Sequence, residues 1–406
     1  MMSGRGALPT RAGGPGPVVR LVPTAIAIGG AAVARQAGGR VVLVEGALPG
    51  ETVDALITDE HSSYARARLV AVLDSSPDRV SPPCPFVERG CGGCGWQHIS
   101  LDAQRRAKAQ IVAEALGRLG GIDRPRVEAG PPLPAERYRT TLRLAIGPGG
   151  AGFRRYHGHD VVAVDACLVA HPLLAGLVAT GDFGSAHEVT LRCGAGTGDR
   201  LARLRPCAAG AVLPASVLVV GEDELDAGRR AWIFEEVAGT RLRISARSFF
   251  QASPQGAEAL VALVKAAVAG APPGELVDAY GGVGLFAATA GAGRAVTVLE
   301  RSVSSAADAR VNLPSARVLR LDVERWRASP AAVVVADPPQ AGLGRRGVAA
   351  LAASGAGHLV LVSCHPASLG RDVGLLRAQG FGLAATTVVD MFPGTPHIET
   401  VSVLVR

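Results

Sequence analysis

From about Ser248 to the end of the chain, short apolar runs alternate with Ala/Leu/Val-rich stretches of helical spacing. The runs are ELVDAY, AVTVLE, ARVLRLD, AAVVVADPP, HLVLVSC, LAATTVVD and ETVSVLVR. Seven strands with helices between most of them predict a doubly wound α/β domain over residues 246–406. The pattern upstream is different. Residues 17–74 carry short β-rich runs (VVRLVPTAIAI, RVVLVEGAL, ETVDALIT, YARARLVAVL) split by Gly, Pro and polar breaks, as in a small β-barrel of the oligonucleotide-binding type. Residues 75–245 read as a mixed central domain. It opens on a Pro/Gly/Cys-rich stretch with no periodicity, continues through a helix over LDAQRRAKAQIVAEALGRLGGI, and goes on to several Arg-rich β runs. The Gly/Pro/Arg-rich start, 1–16, reads as a flexible tail without the apolar core of a signal peptide.

Composition changes this picture little. Hydrophobic residues are 48% and charged residues 19% of 406, which excludes a disordered chain. The net charge of +7 permits a polyanionic partner. No run of eighteen uncharged apolar residues is present, so no membrane span or membrane partner is expected, and a cytoplasmic protein with reduced cysteines is. Seven cysteines then need another explanation than disulfides.

Three of them, Cys84, Cys91 and Cys94, follow C-x6-C-x2-C in the Gly/Pro-rich stretch, and Cys167 in VDACLVAHP is the expected fourth partner. Such a group points to a metal site, and spacing leaves zinc and iron–sulfur both open. A second constellation lies at the strand ends of the α/β domain. LVDAYGGVGLFA is a strand, a Gly-rich turn and a helix start, where a nucleoside ligand meets backbone N–H groups. Gly282 and Gly284 allow close approach, and Asp278 is placed for an ammonium group. Glu300, at the end of the second strand, is placed for ribose hydroxyls, and Asp322, after the third, for an adenine amine. GVGLFA also satisfies a dinucleotide fingerprint, so NAD stays open on that string alone. The strand end DPPQAGL, with Asp337, is suited to a flat base, and the three acids suit S-adenosylmethionine.

Cys364 ends the fifth strand in SCHP, and Glu399 begins the seventh. In a sheet of this kind the seventh strand inserts beside the fifth, so thiol and carboxylate face one pocket. Beside a methyl donor, that pair suggests methylation of uracil carbon 5: the thiolate adds to carbon 6, the enolate takes the methyl, and the carboxylate removes the carbon-5 proton.

Taken together these strings resemble one family: the uracil-5 RNA methyltransferases, in the branch that methylates 23S ribosomal RNA and carries a TRAM domain and a four-iron–four-sulfur (4Fe-4S) cluster. AIGGAAVAR with GRVVLVEGALPGETV is similar to a TRAM barrel. CPFVERGCGGCGWQH and DACLVAHP match the cluster ligands and tip the metal toward iron–sulfur. SFFQASPQGAE implies Gln251 at the cofactor, DAYGGVGLFA implies Tyr280 and the glycines, and VLERS implies Glu300. DPPQAGL, LVSCHPASLGRD and MFPGTPHIETV imply Asp337 at cofactor and base, Cys364 as nucleophile and Glu399 as base. The resemblance implies RNA as partner, 23S rRNA first and transfer RNA as the alternative, and a monomeric enzyme. A non-catalytic RNA-binding homologue is the reading of another class. Three positions depart from the family, Ser253 for Asn, Gln340 for Arg and His365 for Asn, and all three are expected near the base pocket. Trp96, Phe153 and Tyr156 are the stacking candidates, each read first as core.

Overall fold

A computed structural model describes residues 16–156 and 158–406. The tail expected over 1–16 lies, but for Gly16, outside the described residues. The chain forms two compact units, Met1–Val80 and Ser81–Arg406.

The first unit is one six-stranded sheet: β1 (Val18–Leu21), β2 (Ala25–Ile26), β3 (Ala32–Arg35), β4 (Val41–Glu45), β5 (Thr52–Glu60) and β6 (Tyr64–Asp74), in the order β1-β5-β6-β4-β3-β2. Alternate residues point inward, so Val42, Val44, Val53, Ala55, Ile57, Ala65 and Ala67 fill a small core. Register shifts along β5 and β6 at Thr52/Val53, Asp54/Ala55 and Ile57/Asp59 add the local twist a small curled sheet needs. Where the first apolar run predicts one strand, the structure has two. Pro23 lies between them, and its missing N–H separates β1 from β2.

In the second unit, β8 (Thr141–Gly147), β9 (Gly150–Arg154), β10 (Val161–Ala163), β11 (Glu188–Cys193), β12 (Arg200–Arg205) and β13 (Leu218–Gly221) make a sheet in the order β10-β9-β8-β11-β12-β13. Its core of Leu142, Leu144, Val189, Leu191 and Leu204 packs the helix Pro172–Thr180 through Leu174 and Leu177, and takes in Phe86 of the cysteine loop. The hairpin β14 (Trp232–Val237) and β15 (Thr240–Ser245) buries Ile233, Val237, Leu242 and Ile244 in the main core.

That main core surrounds an eight-stranded sheet. Its members are β7 (Glu128–Ala129), β16 (Leu276–Ala279), β17 (Val296–Leu299), β18 (Arg317–Leu319), β19 (Val333–Ala336), β20 (His358–Ser363), β21 (Gly382–Val389) and β22 (Glu399–Val405), ordered β18-β17-β16-β19-β20-β22-β21-β7. β16, β19 and β20 are buried along their whole lengths, as central parallel strands covered on both faces must be. β22 lies beside β20, as expected, and runs antiparallel between β20 and β21. The eighth strand, β7, is unexpected. Only two residues long, it pairs in parallel with β21 and carries no periodicity to read. Among the described residues no helix is long and apolar enough to cross a membrane.

Candidate active site

Sheet order brings the chemistry together. The carboxyl ends of β16, β19 and β20 open on the same edge as the amino end of β22. Ser363 pairs with Thr400 in the antiparallel register, so the next residues outward, Cys364 and Glu399, face each other across adjacent strands. Both line a cavity of about 570 Å3, with Gln251, Tyr280, Gly282, Glu300, Asp322 and Asp337 on its other walls.

The Gly-rich turn is built from left-handed backbone at Tyr280 (φ 59°), Gly282 (57°) and Gly284 (91°). Tyr280 is the costly member, since a side chain there is strained by roughly 1–3 kcal/mol. Its phenol donates to Glu324 Oε1 at 3.0 Å. Glu300 joins two loops: Oε2 accepts from Gly282 N at 2.9 Å and Oε1 from Ser302 N at 2.6 Å. Gln251 Nε2 donates to Asp337 Oδ2 at 3.4 Å.

Among the acids expected at the cofactor, Asp278 alone does not line the cavity. It is fully buried beneath the turn, where Oδ2 accepts from Ala287 N at 3.0 Å and Oδ1 has no hydrogen-bond partner. A strand-end position alone could not tell whether the side chain points up into the cavity or down under the helix start.

The cavity's acids are held in an unfavourable state. Burial pushes Asp337 up to about 7. Burial, and then the nearby Asp337, pushes Glu399 well above the ordinary carboxylate range. Burial, then Glu399 and Asp337, pushes the Cys364 thiol up to about 11. Glu300, Asp322, Glu324, Asp337 and Glu399 face only Arg247 and Arg301 on the walls. A cationic ligand relieves that excess, and the sulfonium and ammonium of S-adenosylmethionine are such cations. The volume is also within the range of cofactor sites.

Two of the three departures lie outside the cavity wall. Ser253 caps the helix Pro254–Ala269, its side chain accepting from Gly256 N at 3.2 Å. His365 caps the helix Pro366–Arg377, Nδ1 accepting from Ser368 N at 3.4 Å. Asn, Ser and a neutral His all supply the acceptor a helix start needs, so these changes conserve a cap rather than alter a pocket. Only Gln340 lines the cavity. Its loop is held from below: Ser368 Oγ donates to Gln340 O at 2.7 Å, and Asp372 accepts from Leu343 N and Gly344 N. Glu324 and Arg247 also reach the cavity, and nothing in their sequence surroundings marks them. Phe249, in the SFFQ string that ends in Gln251, reaches it too.

Cys84, Cys91, Cys94 and Cys167 line a second cavity, of about 240 Å3, together with Gln97, Arg139 and His397. Cys193 and Cys207 lie apart, the first 3.6 Å from His171 Nδ1 and the second 3.5 Å from Ser185 Oγ. Among the described residues no three His, Cys, Asp or Glu side chains meet the geometry of a single metal ion. A zinc ion draws all its sulfurs to about 2.3 Å from one point. Of the stacking candidates, Trp96 is buried, Phe153 half-buried and Tyr156 46% exposed.

Residues 24–70 match the TRAM domain. A protein of Streptomyces avermitilis described as an uncharacterized RNA methyltransferase is 35% identical over 93% of this chain and 96% of its own length. The 23S rRNA (uracil(1939)-C(5))-methyltransferase of Dichelobacter nodosus is 31% identical over 91% of this chain and 94% of its own. The crystal structure of a Pyrococcus abyssi tRNA (uracil-54, C5)-methyltransferase in complex with S-adenosyl-L-homocysteine shares the fold, with a TM-score of 0.73 at 23% identity, covering 95% of this chain and 100% of that one. With relatives this similar over nine-tenths of its length, and with the TRAM match at its start, the chain belongs to the family of TRAM-containing uracil-C5 RNA methyltransferases.

Proposed function

We propose that this enzyme methylates carbon 5 of a uridine in 23S rRNA, with Cys364 as nucleophile and Glu399 as base. The observation that carries the reading is the meeting of these two side chains, on adjacent strands, in one cavity with Asp337, Gln251 and the Gly-rich turn. When bound, S-adenosylmethionine supplies an electrophilic methyl group. Cys364 Sγ bonds to carbon 6 of the ring, and the electron pair displaced to carbon 5 takes up the methyl. Glu399 then accepts the proton from carbon 5, the carbon 6–sulfur bond breaks, and Cys364 leaves as thiolate. Asp337, oriented by Gln251, is placed to accept from the base or from the cofactor's ammonium group. Glu300 and Asp322 would take the ribose and adenine in this reading.

Three parts divide the work in this reading. The barrel over 17–74 and the Arg-rich segment 75–245 grip RNA, chiefly through phosphates, and the domain 246–406 takes an extruded uridine. Cys84, Cys91, Cys94 and Cys167 would hold a 4Fe-4S cluster that orders the loop 84–97. The ribosomal target is favoured over transfer RNA by the 31% identity with the Dichelobacter nodosus enzyme. Incubation with S-adenosylmethionine and either 23S rRNA or transfer RNA, followed by mapping of 5-methyluridine, tests it. One new methylated uridine in the ribosomal RNA is expected, and methylation confined to transfer RNA overturns the assignment.

The buried acids set a pH dependence. Asp337 stays protonated in the folded protein up to about 7, far above the usual carboxylate range, so its negative charge is available to a cation only above that pH. Without ligand, the contribution of this group to stability falls as pH rises from its ordinary value toward 7, because the folded state holds the extra proton. Affinity for S-adenosylmethionine relative to the uncharged-sulfur product should therefore rise through about pH 7, by roughly tenfold for each 1.4 kcal/mol of added attraction. Asp337→Asn should flatten that rise. Calorimetric titration of both ligands at several pH values checks it, and a pH-independent ratio in the unsubstituted enzyme contradicts it.

A further inference from the structure

The segment Asp390–Ile398 leads directly into Glu399, meets the cysteine loop at Gly394 and is tied to the helix that follows that loop. Gln104, 1% exposed on the helix Leu101–Arg118, bridges the two. Its Nε2 donates to Ile99 O at 2.8 Å and Trp96 O at 3.2 Å, and its Oε1 accepts from Gly394 N at 2.7 Å. Four residues on, and so on the same helix face, Lys108 is fully buried. Its Nζ donates to Asp390 Oδ1 at 2.6 Å and Phe392 O at 3.3 Å and lies 5.6 Å from the centre of the Trp96 ring. Trp96 N also donates directly to Gly394 O at 2.8 Å. Gly394 has φ 78°, and a Cβ there would stand 3.2 Å from Gln97 Cγ, so the two loops meet at a point that admits only glycine without adjustment. On the far side of this seam, His397, two residues before Glu399, lines the four-cysteine cavity.

A buried ammonium paired with a buried carboxylate is a poor way to gain stability, because desolvating both charges offsets most of their attraction. It does fix geometry, since neither partner has another place to go. Together with the three bonds of Gln104, it makes the cysteine loop, one helix face and the base-bearing segment a single body.

We propose that Gln104 and Lys108 are positioning residues for Glu399, acting through the segment that leads into it. This deepens the reading of Glu399 as base and rests on it. Displacing a catalytic group by about 1 Å costs on the order of 100-fold in rate. The loss falls on the step that Glu399 performs, after the methyl has been delivered.

The test uses full-length, iron-loaded protein carrying Gln104→Met, Lys108→Met or the paired Lys108→Met/Asp390→Leu. The pair removes both buried charges and keeps a foldable core should Lys108→Met alone unfold. With RNA containing 5-tritiated uridine, KM for RNA and for S-adenosylmethionine should stay within about twofold. Tritium release should slow by about 10- to 100-fold. A methylated RNA–protein adduct that survives denaturation should accumulate, and amide exchange should quicken across 391–398. A role confined to folding moves the melting temperature without trapping an adduct. The proposal is overturned if Glu399→Gln traps the adduct and these variants do not, or if they raise KM for RNA at unchanged turnover. If Glu399→Gln traps none either, the assignment of the base fails first and this inference with it.

Discussion

Cys364→Ala is expected to abolish methyl transfer to RNA, by about 10,000-fold or more in kcat, in line with the loss of a covalent nucleophile from other enzymes. It should also abolish release of tritium from 5-tritiated uridine. Protein that still melts cooperatively and binds S-adenosylmethionine would show that the fold is untouched, because Cys364 sits half-buried on the cavity wall and not in the core. The size of the effect follows from the chemistry. Carbon 5 of uracil becomes nucleophilic only once sulfur has added to carbon 6, and among the described residues no other thiol lines this cavity. Without ligand, the site holds that sulfur in reserve. With the thiol pushed up to about 11, on the order of one in 10,000 is ionised at neutral pH. Burial is the largest cause of the shift, and a cation bound in the cavity counters it by stabilising the thiolate. The nucleophile is therefore armed when a positively charged methyl donor is present. Methylation by Cys364→Ala within tenfold of the unsubstituted enzyme would sink the covalent mechanism.

Much of this site is legible in the sequence alone, and the reasons are specific. β16, β19 and β20 are short and mostly apolar, with polar residues at or just past their carboxyl ends, so their order and their strand-end chemistry can both be read. The pairing of Cys364 with Glu399 follows from one topological rule, insertion of the last strand beside the fifth. What escapes depends on direction or on distance along the chain. Asp278 has the right address and the wrong orientation, because a strand end does not say which way a carboxylate turns. Ser253 and His365 lie near the pocket, beside Gln251 and Cys364, and their caps, set by the following N–H groups, are what the sequence does not show. β7 is too short to show a period. The seam between the cysteine loop and Glu399 joins residues as far apart as Lys108 and Asp390, 282 positions in sequence, and no local pattern reports such a contact. Glycine at position 394 is the one local sign, and it reads equally well as an ordinary turn.

Glu399→Gln separates the two halves of the reaction. Glutamine fills the same space and accepts no proton, so addition of Cys364 and methyl delivery should proceed while loss of the carbon-5 proton stalls. The expected result is a stoichiometric, methylated RNA–protein adduct on a denaturing gel, with steady-state tritium release reduced by about 1,000-fold or more, toward the upper end for removal of a general base. The electrostatics of the cavity favour this order of events. Burial, and then Asp337, raise the proton affinity of Glu399. A cation in the cavity lowers that affinity, and the affinity recovers once delivery of the methyl removes the sulfonium charge. Base strength thus rises at the step that needs it. The same protonation withdraws a negative charge from beside Cys364 and lets the thiolate depart. A Glu399→Gln enzyme that turns over freely, or that is inert without forming any adduct while still binding both substrates, would assign the proton to another group and leave Asp337 as the nearest candidate.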